Sequence, residues 1–328
     1  MTFQTTRRAL LAAATALVAA LTLPALAQDK PTWQFSAVFS DADIRAEMSK
    51  MFGDEIKDIA TFEPYYGGTL FKQGTELVAL QRGNLQMGNI APQDISNQIP
   101  AWSVLTSAYL FRDYAHLKAF FDSDLGAEFK TMAEDQLGIH ILGPTYFGTR
   151  EVGLRVDKEI KTPADMAGIK LRMPGGDAWQ FLGQALGANP TPMAYAEVYT
   201  GLQTGAIDGQ DNPLPNVENM KFYEVMKQIV LTDHLVGYDL WTISKTAWDA
   251  LTPEQQTAVQ AAADKALAWS AEQHLAREKT LVDKFKAAGL KIYAPDVAAF
   301  RAAAQKAYLE SDLSKDWPAG VVDKINAL

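Results

Sequence analysis

The sequence predicts an α/β protein of two lobes, and three observations support this class. The first is its length of 328 residues, because one domain usually holds about 100 to 200. The second is a run of strand, helix and strand patterns within residues 33–66. The third is an unbroken helical pattern over residues 253–288, which at about 1.5 Å per residue reaches roughly 54 Å. A helix of that length exceeds one small domain, so we expect it to brace both lobes.

The predicted elements begin with a strand at residues 33–39, where large apolar residues alternate with smaller ones. A helix starting at Ile44 follows, and then a strand at residues 61–66 that ends at two glycines. Similar patterns predict a helix at residues 77–80, a segment at 85–90 that enters a turn at Ala91-Pro92, and short strands at 138–143 and 169–173. Strands alternating with helices in this way are typical of an open α/β sheet.

Two helix starts carry complete capping signals. Thr162-Pro163-Ala164-Asp165 places a capping hydroxyl, a proline in the first turn and an acid three residues after the cap. Thr252-Pro253-Glu254-Gln255 repeats the arrangement at the start of the long helix, which Gly289 is placed to end.

The N-terminus predicts a signal peptide over residues 1–27. Arg7 and Arg8 precede an uncharged run at residues 9–23, and Ala25-Leu26-Ala27 supplies the small residues of a cleavage site. That run is shorter than the ~20 residues needed to span a bilayer, so a membrane anchor is the weaker interpretation. We therefore expect the mature protein outside the cytoplasm.

Composition excludes several functions. The net charge of -9 disfavours nucleic-acid binding, and the absence of cysteine removes thiol nucleophiles and thiolate metal sites. No phosphate loop, dinucleotide-binding turn or nucleophile elbow occurs, so the sequence predicts no cofactor, no metal and no enzyme activity. Asp208 and Asp211 are expected to be turn formers rather than a catalytic couple. A secreted hydrolase acting through Asp208 or Asp233 with His234 stays open as the alternative class.

The most informative segment is residues 167–214, AGIKLRMPGGDAWQFLGQALGANPTPMAYAEVYTGLQTGAIDGQDNPL. Its motifs are KLRMP, GANPTP, EVY, LQTG and DGQDNPL. In order and spacing they resemble the signature of solute-binding proteins of tripartite ATP-independent periplasmic (TRAP) transporters. The resemblance extends to residues 146–150, 221–225 and 248–256, and so covers effectively the whole mature chain.

The resemblance implies a two-lobe periplasmic binding protein with a ligand cleft between the lobes. By analogy, lobe I comprises residues 28–149 plus 238–277, and lobe II comprises residues 150–237 plus 278–328. Such a protein, here expected to be a monomer, captures a small organic acid and delivers it to membrane subunits of the transporter. The ligand class is a dicarboxylate, a keto or hydroxy acid, or a sugar acid. A sensory module that binds the same acid is a further alternative.

The resemblance also implies the site. The family's selectivity arginine falls on Arg172, whose planar guanidinium matches both oxygens of a carboxylate. Asn212 matches an asparagine that bonds the same end of the ligand, and Arg150 matches a second arginine of the sialic-acid-binding branch. Tyr195 and Trp241 occupy positions of aromatic residues that line the cleft.

Three first-lobe positions bear on the rest of the ligand. Where the sialic-acid branch has polar or acidic side chains, this sequence has Val38, Lys72 and Ala91. Sialic acid is therefore not the expected ligand. Lys72 would instead favour a ligand with a second anionic or strongly polar end.

Overall fold

A computed structural model describes residues 30–328, which form one mixed sheet of nine strands. The signal peptide predicted for residues 1–27 lies outside this part of the chain. In chain order the strands are β1 Thr32–Ser36, β2 Thr61–Tyr65, β3 Met87–Ile90, β4 Ile139–Leu154, β5 Lys170–Met173, β6 Asn189–Pro192, β7 Gly209–Pro213, β8 Gln228–Ser244 and β9 Lys291–Tyr293.

The helices surround this sheet. In chain order they are α1 Ile44–Glu55, α2 Glu76–Gln81, α3 Pro92–Ser96, α4 Tyr114–Asp122, α5 Asp124–Leu137, α6 Asp177–Ala185, α7 Val198–Thr204, α8 Leu214–Asn219, α9 Lys245–Asp249, α10 Pro253–Ala287, α11 Val297–Glu310 and α12 Val321–Asn326. Short 3-10 helices occupy Pro100–Thr106, Pro163–Met166, Tyr195–Glu197, Phe222–Glu224 and Asp312–Asp316. Within residues 30–328, no helix combines the length and apolarity that crossing a membrane requires.

Strands β4 and β8 run through both lobes and pair antiparallel along their length. Strand β3 joins the second half of β8, whereas β7 joins the second half of β4. Where the chain crosses between lobes, Gly148 lies opposite Gly237 and has a φ of 117°, which favours glycine. A Cβ on Gly237 would lie 2.5 Å from the Gly148 carbonyl oxygen, so the two backbones touch. Both lobes therefore grow outward from one pair of strands.

Strand β4 is longer than the strand predicted at residues 138–143. Gly143, expected to end it, lies inside the strand at a shift in register. A Cβ there would meet the Leu267 side chain of α10 at 2.8 Å, so the glycine serves a close helix approach rather than a turn.

Helix α10 is the predicted brace, and its 35 residues span roughly 52 Å. Its first half buries Val259 and Leu267 in an apolar cluster of the first lobe, which also contains Trp33. Its second half buries Leu281 and Phe285 in a cluster of the second lobe. The helix therefore packs on both lobes, as its length predicts.

Both predicted capping boxes form, but only one opens an α-helix. At the start of α10, the Thr252 hydroxyl accepts from the Gln255 N–H at 3.3 Å, and the Gln255 side chain accepts from the Thr252 N–H at 2.9 Å. The box at Thr162 opens only the 3-10 helix Pro163–Met166, because β5 begins at Lys170 and leaves no room for further turns.

The C-terminal residues pack differently from the predicted assignment of residues 278–328 to lobe II. Helix α11 does contribute to the second-lobe core, but Val321 and Ile325 of α12 are buried in a first-lobe cluster. His116 of α4 lies 2.7 Å from the Ile325 carbonyl oxygen, and the Trp317 indole N–H donates to Ser103 at 2.8 Å. The chain thus returns to the first lobe after α11.

Candidate functional site

A cavity lies between the lobes and combines residues predicted from the sequence with others that were not. Six of the eight predicted site residues line it. The predicted lining residues are Val38, Ala91, Arg150, Arg172, Tyr195 and Asn212, and the others are Arg45, Gln73, Gly74, Glu76, Asn89, Asp94, Phe147, Pro174, Trp179, Asn216 and Asp239.

Arg172 lies on β5, immediately before Pro174, and its side chain enters the cavity. It is 1% exposed. Its Nε donates to the Met193 carbonyl at 2.8 Å, and its Nη2 donates to the Gln73 side-chain oxygen at 3.2 Å. Burial lowers the pKa of the Arg172 guanidinium to about 10; the Asp211 carboxylate opposes this shift, and the Arg150 cation adds to it. The site therefore holds a buried positive charge whose hydrogen-bond partners are neutral.

Arg150 lies on β4 and is neutralised within the protein. Its Nε donates to Asp211 Oδ2 at 2.8 Å and its Nη2 donates to Oδ1 at 3.0 Å, a bidentate pair. His234 Nε2 lies 3.1 Å from the same Oδ2 atom, and the guanidinium carbon lies 4.8 Å from the Trp179 ring centroid. Burial alone would raise the pKa of Asp211, but Arg150 and His234 hold that pKa well below its ordinary range. Asp211 lies in β7 and not in the expected turn, because its residues pair with β4.

Arg45, at the start of α1, is a third cavity arginine, which the sequence did not single out. It makes a bidentate pair with Asp43, with both contacts at 2.9 Å, and its Nη1 donates to Asp239 at 3.2 Å. Its guanidinium carbon lies 4.4 Å from the ring centroids of both Phe39 and Phe147. Burial would raise the pKa of Asp43, but Arg45 lowers it to about 2. Arg45 is thus locked by carboxylates and aromatic faces.

Among the three arginines that line the cavity in residues 30–328, only Arg172 has no carboxylate within 4.0 Å. A buried cation without an opposite charge is costly unless a ligand supplies one. Arg172 is therefore the cavity arginine without a direct carboxylate partner, and its planar guanidinium has the shape that pairs with a carboxylate.

The first-lobe side of the cavity is acidic. Burial raises the pKa of Glu76 to about 8 and that of Asp94 to about 7, and in each case a neighbouring carboxylate adds to the rise. Burial also raises the pKa of Asp239 to about 6, against the opposing effect of Arg45. This half of the cavity thus holds carboxyl groups that are partly protonated near neutral pH.

These carboxyl groups predict that the stability of the ligand-free protein falls as pH rises from about 6.5 to about 8. The folded protein holds protons on Asp94 and Glu76 that the unfolded chain has already released, so each group reduces stability by up to about 1.4 kcal/mol per pH unit. Burial lowers the pKa of His274 to about 4, so this residue changes the stability mainly below this pH window. Chemical denaturation across the window measures the slope. Asp94→Asn should flatten it, whereas the exposed Asp283→Asn should leave it unchanged; a rising stability would contradict the account.

Contacts between the lobes keep the cavity closed. The Gln73 side-chain oxygen, on the first lobe, also accepts from the Tyr195 N–H at 2.8 Å. Asn219 of α8 donates to Asp43 at 3.2 Å. Gln73 and Asn219 therefore each form a hydrogen bond between the two lobes.

Asn212 is 3% exposed and lines the cavity from β7. Its amide donates to the Gln210 side-chain oxygen at 2.6 Å, which fixes its orientation. Tyr195 lies with its ring edge toward Phe222, at a centroid distance of 5.9 Å, and its ring 5.8 Å from the Arg172 guanidinium. Tyr195 therefore lies beside Arg172, and Asn212 lies on the neighbouring strand, two residues after Gln210, which pairs with Arg172.

Two predicted site residues lie elsewhere. Trp241 is 1% exposed and packs in the first-lobe core, with its ring centroid 4.4 Å from that of Phe35. Asp239 lies two residues earlier on β8, and it lines the cavity instead. Lys72 is exposed and outside the cavity lining, because the neighbouring Gln73 is the residue that points inward. The second cation expected from Lys72 is therefore replaced by acidic groups.

Two α/β lobes with a cavity between them, and one buried arginine in it that has no carboxylate partner, are typical of a binding protein for small anionic solutes. The chain matches the family model for bacterial extracellular solute-binding protein, family 7, over residues 36–314. It is 30% identical over 317 residues to the sialic acid-binding periplasmic protein SiaP of Vibrio cholerae, covering 95% of this chain and 98% of that protein. It is also 30% identical to the 2,3-diketo-L-gulonate-binding periplasmic protein YiaO of Escherichia coli, covering 79% and 80%.

Two solved structures are similar to this chain along most of its length. A TRAP periplasmic solute-binding protein from Roseobacter denitrificans with bound 3-deoxy-D-manno-oct-2-ulosonic acid is 46% identical, with a TM-score of 0.90 and coverage of 91% of this chain and 99% of that one. A second from the same species, with bound L-galactonate, is 25% identical with a TM-score of 0.82, covering 90% and 99%.

The chain therefore belongs to family 7 of the bacterial extracellular solute-binding proteins. It is the periplasmic component of a TRAP transporter, and it captures a small organic acid for the membrane subunits that the family implies. The predicted class, fold and location are confirmed.

Proposed function

We propose that the ligand is a sugar acid, held by its carboxylate at Arg172 and by its hydroxyl groups at the first-lobe side of the cavity. The observation that carries this proposal is the lack of a carboxylate partner for Arg172. The ligand's own carboxylate supplies that partner. Asn212 and Tyr195 orient the same end, and Arg150 adds positive potential while staying paired with Asp211.

The acidic wall favours hydroxyl groups over a second carboxylate. Glu76, Asp94 and Asp239 face the cavity, and a second anion there would meet like charges. Hydroxyl groups both donate and accept, so they suit carboxyl groups in either protonation state. The proteins solved with an ulosonic acid and with L-galactonate support this choice, since both ligands are polyhydroxy acids.

We further propose that the ligand is bound without chemical change, by a monomer. The residues of the hydrolase alternative lie outside the cavity lining. Asp208 accepts from the Lys170 N–H at 3.0 Å, and Asp233 is exposed. His234 is buried between Thr232 and Asp211, and it does not line the cavity.

A thermal-shift panel of organic acids tests the ligand class. The panel holds 3-deoxy-D-manno-oct-2-ulosonic acid, L-galactonate, hexuronates, sialic acid and C4-dicarboxylates. We expect a polyhydroxy acid to give the largest shift, because a ligand at about 100 times its Kd adds about 2.7 kcal/mol of stability. Mass spectrometry of the recovered ligand should find it unaltered. A dicarboxylate as the best ligand would contradict the sugar-acid proposal, and an altered ligand would contradict the binding-only role.

A further inference from the structure

Two hydrogen-bonded polar side chains on neighbouring first-lobe strands line the cavity. Asn89 on β3 donates from its amide to Asp239 Oδ2 on β8 at 2.6 Å. The same Oδ2 atom accepts from Arg45 Nη1 at 3.2 Å. Asn89 is 6% and Asp239 is 9% exposed, so the protein, rather than solvent, sets their geometry.

The pair leaves an acceptor without a partner. The side-chain oxygen of Asn89 is buried and makes no hydrogen bond with the residues that the structure describes. An unmade hydrogen bond of a buried polar group costs about 1 to 3 kcal/mol. A donor that enters the cavity can offset this cost, so the atom marks a ligand contact.

The contacts of Arg45 fix the position of the Asp239 carboxylate. The Asp43 carboxylate takes the Nε and Nη2 donors of Arg45, and Asp239 takes one from Nη1. The rings of Phe39 and Phe147 pack against the Arg45 guanidinium and restrict its movement. Arg45 is therefore a positioning residue that holds Asp239 at the cavity wall.

We propose that Asp239 and Asn89 are the specificity-determining pair of this site, and that they select ligands by hydroxyl groups remote from the carboxylate. The proposal rests on the sugar-acid function and adds the residues that enforce it. Both side chains offer acceptors toward the cavity, and a hydroxyl group supplies the matching donor. A second carboxylate offers no donor and meets the charge of Asp239.

The groups that set the charge of Asp239 come from several elements. Arg45 and Asp43 face it from the start of α1, and Asp94 faces it from α3. Arg150 acts on it from β4 and, like Arg45, favours its ionised form. An ionised Asp239 is the stronger acceptor, so the recognition of hydroxyl groups should improve above about pH 6.

Calorimetric titration with a long and a short acid tests the proposal. The long ligand is 3-deoxy-D-manno-oct-2-ulosonic acid, and the short one is pyruvate, which has the carboxylate but no hydroxyl tail. Asp239→Asn should weaken binding of the long acid by about 10- to 100-fold and change pyruvate binding by less than about threefold. Asn89→Ala should show the same tail-dependent loss. Asp41→Asn, an exposed acid on the same lobe, is the matched control and should affect neither ligand.

Equal losses for both acids in Asp239→Asn and Asn89→Ala would assign the pair a structural role and overturn the proposal. Should neither variant fold, analogues of the long acid that lack one remote hydroxyl group are titrated into the wild-type protein instead. At least one analogue should bind about tenfold more weakly, and unchanged affinity for all of them would overturn the proposal. The wild-type titrations separate the two claims, because a wild type that binds no sugar acid contradicts the proposed function itself.

Discussion

Arg172→Ala should weaken binding of the sugar acid by about 30- to 4000-fold, which corresponds to roughly 2 to 5 kcal/mol. The expected loss is large because the cavity excludes water around the guanidinium and no other cavity arginine is free to replace it. Arg172→Lys should recover only part of the affinity, since an ammonium keeps the charge but loses the planar fork. Calorimetric titration with the best ligand of the panel measures both variants.

The same substitution should not destabilise the empty protein. The pKa of Arg172 is lowered to about 10 by burial, so the folded protein disfavours this cation. Removing it should leave the free energy of unfolding unchanged or slightly higher. The exposed Arg82→Ala is the control for loss of a positive charge and should bind normally. Affinity of Arg172→Ala within about threefold of wild type would place the carboxylate contact elsewhere.

Asp211→Ala should produce the largest loss of stability, about 3 to 5 kcal/mol. Asp211 is completely buried, and its removal leaves the buried Arg150 guanidinium without its carboxylate. Two uncompensated cations, Arg150 and Arg172, would then face one cavity. Urea denaturation of the ligand-free protein gives the change in the free energy of unfolding.

Two further variants control this prediction. Asp211→Asn keeps the shape and one acceptor but not the charge, so its loss should fall between those of wild type and Asp211→Ala. Asp283→Ala removes an exposed acid of α10 and should change stability by less than about 0.5 kcal/mol. A loss of similar size for Asp283→Ala and Asp211→Ala would contradict the buried ion pair as the cause.

Local sequence patterns predict the helices and strands of this fold well where local residues alone determine the backbone conformation. The alternation near Trp33 and the capping residues Thr252 and Gln255 report directly on backbone geometry, so β1 and α10 are close to their predicted bounds. The length of β4 is not predicted, because Gly143 resembles a strand end. Its role depends on Leu267, which is remote in sequence. Asp211 was wrongly expected in a turn, because its local sequence does not show its pairing with Arg150 on another strand.

The half of the cavity that contains Arg172 was predictable from the sequence because its residues lie in contiguous motifs. Arg172, Asn212 and Tyr195 all fall within residues 167–214, and all three line the cavity. The first-lobe half was not predictable in this way. Asp239 is held at the cavity by Arg45 and Asn89, which are remote from it in sequence. The sequence of β8 gave no signal for Asp239, because Trp241, two residues further on, packs in the first-lobe core instead.

The central claim is that the cleft binds a polyhydroxy acid by pairing its carboxylate with Arg172. Titration of the wild-type protein with the best sugar acid and with its methyl ester tests this claim most directly, because the ester keeps every hydroxyl group and loses only the charge. We expect the ester to bind about 30- to 4000-fold more weakly than the acid, the same loss as in Arg172→Ala. An ester that binds within about threefold of the acid would contradict the claim.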